Sequence, residues 1–355
     1  MAMAQITVMG AGILGLSAAW VMARRGAQIT LVERDRVGAG SSGGVVGALA
    51  PHVPENWNTK KAFQLDSLLM AERFWAEVAA LGGIDPGYAR LGRVQPIADT
   101  AALDRAQERA AGARDLWQGR ADWRVIRVNE TPGLSFGSPT GWAIHDTLSA
   151  RLSPRSAAAA LVAGLRMMGV LFVTADTPPP RAACVLWATG AQGLADLGAN
   201  LGLPMGGAVK GQAALFEADH RDAPQLFLDG LHIVPHADGT VAIGSTSERT
   251  FSHPSQTDAQ LETLIGRARA ACPELADAPV IERWAGLRPR SPSRAPMLGA
   301  WPGRPGHFVL NGGFKIGFGM APKLANLAAD LLLDSKDAVP EGFRVENNLP
   351  GPSRN

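Results

Sequence analysis

The sequence predicts an α/β protein that opens on a Rossmann-type nucleotide-binding unit, and three observations carry that prediction. Gln5 to Met9 reads as a short apolar strand. It runs straight into Gly10-Ala11-Gly12-Ile13-Leu14-Gly15, after which Ile13, Leu16, Ala19 and Ala23 recur at helical spacing. A second apolar run, Gln28 to Val32, ends on Glu33, about 20 residues beyond the glycines, where a carboxylate suits two ribose hydroxyls.

Each glycine of the first turn has a separate task. Gly10 permits the turn itself, Gly12 lets backbone amides approach a pyrophosphate, and Gly15 lets the helix lie close to the strand. The helix N-terminus adds attraction for the anion. Dinucleotide binding is therefore the expectation, against a glycine turn that is merely structural.

Composition excludes several classes. The 355 residues suit one large domain or two interlocked ones, and 34 Lys and Arg against 32 Asp and Glu leave a formal charge of only +2. The basic residues are scattered, so no nucleic-acid stripe is written here. Cys184 and Cys272 supply neither a disulfide framework nor a metal cluster. The first residues lack a signal-peptide pattern, and apolar stretches end well short of the roughly 20 residues of a membrane span. A soluble protein of the reducing cytoplasm, with no metal, is expected.

The stretch after Glu33 separates the dinucleotides. From Arg34 to Pro51 runs a second glycine-rich loop, Gly38-Ala39-Gly40-Ser41-Ser42-Gly43-Gly44 and then Gly47-Ala48-Leu49, where a nicotinamide enzyme normally places its next helix. Alternation of glycine with Val45, Val46 and Leu49 argues against a plain linker. This stretch resembles the FAD-dependent D-amino-acid oxidase, glycine oxidase and sarcosine oxidase family. The resemblance implies that the loop passes the pyrophosphate and lies along the flavin, with Ser41, Ser42 and the amides through Gly43, Gly44 and Gly47 as contacts beside Gly10, Gly12, Ile13, Leu14, Gly15, Glu33 and Arg34.

Later segments extend the resemblance along nearly the whole chain. Arg151 to Met168, opening on Ser153-Pro154-Arg155, resembles a family helix that feeds the strand Val170 to Thr174. Val185-Leu186-Trp187-Ala188-Thr189-Gly190 resembles the strand whose Ala-Thr-Gly turn meets the cofactor, and Val209-Lys210-Gly211-Gln212 the step that opens the next sheet. Ile233-Val234-Pro235, with Gly239 and Val241 to Thr246, resembles the hairpin flooring the substrate site.

The chemistry falls in the last third. Trp284-Ala285-Gly286-Leu287-Arg288-Pro289 is similar to the motif whose arginine pairs with a substrate carboxylate, which implies that role for Arg288; a planar guanidinium gives two parallel, charge-assisted bonds. The other reading of Arg288 is an exposed arginine before a proline. Asn311-Gly312-Gly313-Phe314-Lys315-Ile316-Gly317 resembles the closing FAD motif, with a helix continuing through Leu324, Leu327 and Leu331. In the family this helix start faces the pyrimidine edge of the flavin, where its dipole favours the negative charge of reduction.

Departures from the pattern matter too. Lys315 stands where glycine oxidases have an arginine, and a lysine lacks the bidentate fork. Tyr88 is the only tyrosine, and His232 occupies the place of the family tyrosine; it is either a substrate partner or a structural histidine. His52, held between Pro51 and Pro54, either faces the substrate cavity or caps the helix beginning near Thr59. From Thr174 to Ala183 the proline-rich Asp176 to Arg181 replaces a family meander, which implies a more open adenine pocket. With no cysteine between Arg288 and Lys315, and Ser42 and Gly43 where related dehydrogenases attach flavin through histidine, FAD is expected to be non-covalent.

The resemblance implies an FAD-binding Rossmann-type domain, of the glutathione-reductase-like kind, from 1–85, 146–212 and 287–340. A second, mainly antiparallel sheet would use 86–145 and 213–286, with an irregular tail over 341–355. It implies hydride removal from the carbon beside a small amine or amino acid to flavin N5, giving an imine, with oxygen or another carrier reoxidising the flavin. Three rivals stay open at this point: an NAD-dependent reductase, a flavoprotein acting on a modified base or another non-amino-acid substrate, and a non-catalytic flavin-binding protein.

Overall fold

The computed structural model describes residues 4–174 and 184–349. The expected crossing at Asp176 to Arg181 lies outside the described residues. In chain order the strands are β1 (Gln5–Met9), β2 (Gln28–Glu33), β3 (Ala48–Leu49), β4 (Arg93–Pro96), β5 (Trp123–Arg127), β6 (Trp142–Asp146), β7 (Ala150–Arg151), β8 (Leu171–Thr174), β9 (Cys184–Trp187), β10 (Gly207–Glu217), β11 (Gln225–Leu228), β12 (Leu231–Pro235), β13 (Thr240–Gly244), β14 (Val280–Arg290), β15 (Met297–Ala300) and β16 (His307–Asn311). The helices are α1 (Ile13–Arg24), α2 (Thr59–Gly82), α3 (Thr100–Trp117), α4 (Pro154–Met167), α5 (Gly190–Leu201), α6 (Ala259–Ala271) and α7 (Gly317–Asp334).

Two sheets result. The first has the order β15-β16-β9-β1-β2-β8 and is parallel except for the β15–β16 pair. Its centre is β1, where Val8 pairs with Leu31 on one side and Leu186 on the other. Ile6, Thr7 and Val8 of this doubly paired strand are buried because both faces of the sheet are covered. Helix α1 is buried from Ile13 to Met22 for the same reason, and it packs with α7 in one core that holds Leu16, Trp20, Leu324 and Ala328.

The second sheet has the order β14-β10-β13-β12-β11-β4-β6-β5 and is antiparallel apart from β11 beside β4. Leu261, Leu264, Ile265 and Ala268 of α6 close one face over Phe216, Ile233 and Ile243. Strands β10 and β14 pair from Gly207 to Phe216, so both run across the expected domain limits at 212 and 287. Both strands belong wholly to the second sheet, so the chain changes sheet in the connections on either side of them, from β9 through α5 to β10 and from β14 to β15.

Local signals explain the helix starts. Ser153 accepts from the Ser156 amide and Pro154 occupies the first turn of α4, as the Ser-Pro step predicts. The start of α2 corrects one expectation: Asn58, not His52, caps it, with Oδ1 accepting from the Lys61 amide at 3.1 Å. The segment after Pro340 is also more ordered than expected. It makes two 3-10 turns over Glu341–Phe343 and Glu346–Asn348, with Phe343 edge-on to Phe63 at 4.9 Å and Asn348 Oδ1 accepting from the Ser293 amide at 3.1 Å. Buried Phe343 and Val345 anchor it. Among the described residues no helix is long and apolar enough to cross a membrane.

Candidate active site

The carboxyl ends of β1, β2 and β9, the second glycine loop, and residues of β4, β11, β12 and β14 in the second sheet line one cavity of about 920 Å³. A cleft outside the carboxyl ends of parallel strands, where the order reverses about β1, is the expected place for a ligand in such a fold.

The nucleotide end is built from backbone. A Cβ at Gly10 would collide with the Ala188 carbonyl, and one at Gly15 with the Gly10 carbonyl, so the turn closes only with glycine at both positions. Ser42 Oγ accepts from the Ile13 amide at 2.9 Å and so ties the second glycine loop to the first turn of α1. Glu33 points its carboxylate into the same corner: Oε2 accepts from the Ala11 amide at 2.7 Å and Oε1 from the Asp35 amide at 3.0 Å. A carboxylate has about four lone-pair positions, so both oxygens keep room for hydroxyl donors. Arg34 lies at the rim, paired with Asp35 at 3.2 Å, and that partner raises its pKa.

Ala188, Thr189 and Gly190 line the opposite wall, and Thr189 Oγ1 is buried with no hydrogen-bond partner. An orphaned hydroxyl at the mouth of a parallel sheet fits a polar ligand held there. Gly313, Phe314, Lys315, Ile316 and Gly317 complete the wall where α7 starts, and no side chain caps the amides of that helix. Gly12, Ile13, Leu14, Ser41, Gly44 and Gly47 line the cavity as well. Gly15, Gly43 and Gly312 are set back from it: the Gly43 carbonyl accepts from Arg155 Nε at 2.9 Å, and a Cβ on Gly312 would press on Ser291.

The substrate end is built from side chains. Arg288 on β14 is buried and lies across β10 over Gly211, where a Cβ would land on the guanidinium. Its Nη1 donates to the Thr246 carbonyl at 3.1 Å, and no described carboxylate forms an ion pair with it. Burial lowers its pKa to about 10, against the opposing pull of Glu248, so it is charged at neutral pH. Lys315 also lacks a described acidic partner; burial first, then the Arg288 charge, lowers its pKa.

His232 sits among these cations with Nδ1 buried and unpartnered, its ring 4.5 Å from that of Phe227. Burial, followed by Arg93, Lys315 and Arg288, pushes its pKa down to about 3, so the imidazole is neutral. His52 lines the cavity, its amide donating to Gln64 Oε1 at 2.8 Å while Nδ1 contacts the same oxygen. Burial lowers its pKa more than the Gln64 contact raises it. All four side chains expected near the reacting carbon therefore face one cavity.

Two lining residues escape the sequence. Arg93 is buried on β4 directly opposite Asp146 of β6, with Nε donating to Oδ2 at 3.1 Å and the guanidinium over Phe227 at 5.4 Å. Phe227 itself comes from β11. Partners 53 residues apart give no local pattern; only the pairing of β4 with β6 brings them together.

Comparison with known proteins agrees with this architecture. The model of the FAD dependent oxidoreductase family matches residues 5–331. Glycine oxidase of Pseudomonas aeruginosa is 30% identical, the match covering 92% of this chain and 94% of the relative. Among solved structures, glycine oxidase from Geobacillus kaustophilus superposes with a TM-score of 0.81 at 23% identity, covering 96% of this chain and 98% of that one. Iminodiacetate oxidase from Chelativorans sp. BNC1 does so with 0.84 at 24% identity and the same coverage.

Proposed function

Because the chain belongs to the FAD dependent oxidoreductase family and uses FAD as its cofactor, we propose that it oxidises the C–N bond of a small amino acid or amine, of which glycine and sarcosine are the simplest. The observation that carries this reading is Arg288, a buried guanidinium without a described acidic partner, facing the cavity beside neutral His232. A buried unpaired cation is costly, and a ligand carboxylate offsets that cost.

In this reading the first glycine turn and the start of α1 take the pyrophosphate, Glu33 the ribose hydroxyls, and Ser41, Ser42, Gly44 and Gly47 the edge of the ring system. Ala188, Thr189 and Gly190 close the opposite side. Gly313 to Gly317 present the amides of α7, and the dipole of that helix favours negative charge. FAD, when bound, supplies the acceptor for the substrate's hydride. Neither Cys184 nor Cys272 lines the cavity, which supports dissociable binding.

The protein's own part is positioning and charge. Arg288 spends one N–H on Thr246 and has four left for a carboxylate. Lys315 adds a second positive charge without a fork. Together they disfavour the ammonium form of the substrate, which must lose a proton before its carbon can give up hydride. Neutral His232 offers a hydrogen bond without adding a third charge.

The test is an absorbance spectrum recorded anaerobically on the FAD-loaded protein while glycine, sarcosine, proline and D-amino acids are added singly. Bleaching by one of them supports the reading, and its reversal in air identifies oxygen as the acceptor. A band that no amine bleaches removes the amine from the proposal.

A further inference from the structure

Behind Arg288 lies a buried polar cluster that lines no part of the cavity. Side chains alternate along β10, so Lys210 and Gln212 point away from the face where Gly211 makes room for the guanidinium. Both are essentially inaccessible, at 2% and 0% exposure. Lys210 Nζ lies 3.4 Å from Glu248 Oε2 and 3.0 Å from Asp258 Oδ2. Gln212 Nε2 donates to Glu248 Oε1 at 2.9 Å and to Asp258 Oδ1 at 2.8 Å, and its Oε1 accepts from the Asp258 amide at 2.8 Å.

The cluster grips the segment that comes after β13. The Gln212 amide donates to Thr246 Oγ1 at 2.8 Å, that hydroxyl donates to Glu248 Oε1, and the Thr246 amide donates to the Gln212 carbonyl at 3.2 Å. Lys210 and Glu248 exchange backbone bonds of 2.9 Å in both directions. Thr246 is thus fixed through its amide and its hydroxyl. Its remaining polar atom, the carbonyl, is the acceptor of the one hydrogen bond that the Arg288 guanidinium makes among the described residues.

We infer that Lys210, Gln212, Thr246 and Glu248 are positioning residues for substrate recognition, fixing the Thr246 carbonyl and through it the direction in which the Arg288 fork opens. The inference rests on the carboxylate role proposed for Arg288. Lys210, Gln212 and Glu248 are buried and Asp258 closes the network at the surface; burying three such groups carries a desolvation cost that apolar packing avoids, and a rigid second layer behind a bidentate donor is what such a cost can supply. Four residues thereby gain a role without touching the substrate.

The test uses the FAD-loaded protein and two inert probes: glycolate, a carboxylate with no amine to oxidise, and glycolamide, its uncharged amide. Binding is read from the shift each causes in the flavin absorbance band, and thermal unfolding is followed in parallel. Thr246→Val, which keeps the shape and loses the hydroxyl, should weaken glycolate about tenfold and leave glycolamide unchanged, while Thr246→Ser restores affinity. Gln212→Leu should act alike, and Thr246→Val carries the test if that variant does not fold. In an Arg288→Ala background the effect of Thr246→Val should vanish. Equal weakening of both probes, or an undiminished effect in that background, overturns the positioning role while leaving the clamp. If Arg288→Ala alone leaves glycolate binding intact, the clamp fails and the positioning role with it.

Discussion

The two ends of the cavity are made of different material. At the nucleotide end the contacts come mostly from backbone that glycines and helix starts bring into place, with the Glu33 carboxylate held in the corner by the Ala11 and Asp35 amides. At the substrate end they come from side chains of β4, β11, β12, β14 and the start of α7, carried on a sheet whose neighbours are far apart in sequence. One end is thus defined by where side chains are missing, the other by where they converge. Mutations should act accordingly: abruptly on assembly at the first, selectively on ligand charge at the second.

The largest effect is expected at Gly15. A valine there drives Cβ into the Gly10 carbonyl, a backbone atom that cannot swing aside. Gly15→Val should cost about 3 kcal/mol of stability or more, read as a lowered Tm and flavin lost on gel filtration; a variant with normal Tm and full flavin would break the contrast at its nucleotide end. Arg288→Ala comes next. It should lower kcat/KM for carboxylate substrates by about 3 kcal/mol, on the order of a hundredfold, and spare uncharged amines. Equal loss for both classes would show that the substrate end is not selective by charge.

Glu33→Gln is expected to be milder, weakening FAD retention by about 1 kcal/mol, because the amide keeps one acceptor oxygen for the Ala11 amide. Titrating the stripped variant with FAD checks this, and unchanged affinity would remove the ribose assignment. Smallest is the effect of Lys315→Arg on pH dependence. Burial and Arg288 lower the Lys315 pKa, so whatever carboxylate affinity its charge supplies is complete at low pH and is lost as pH rises through that lowered value. An arginine stays charged, and the alkaline fall in glycolate affinity should move to higher pH; an identical profile would place Lys315 outside carboxylate binding.

The same contrast explains what the sequence can reveal. Gly10, Gly12, Gly15 and Glu33 are legible because one βαβ unit imposes their spacing within 24 residues. Arg288, Lys315 and His232 are legible only through the motifs around them, since spacing alone does not join residues from β14, the turn before α7, and β12. Arg93 is hidden because its partner Asp146 and its neighbour Phe227 belong to other strands, which meet only after the sheet has formed. His52 shows a limit of another kind: two prolines mark a rigid backbone, but Asn58 is the stronger acceptor at the helix start and takes the cap. The tail beyond Pro340 reads as irregular by composition, yet Phe343 finds an aromatic partner on α2.

Helix α7 packs against α1, with Leu14 and Ile13 beside Gly313 and Gly317. These elements stand more than 290 residues apart in the chain. During synthesis the first βαβ unit therefore leaves the ribosome with one flank of its only α-helix bare, and it stays so until more than 290 further residues have emerged. At roughly 5–20 residues per second, that interval lasts on the order of tens of seconds. The dinucleotide cleft is consequently a late product of folding, finished by α7, and chains interrupted before that point carry every glycine of the first turn but not the closed site.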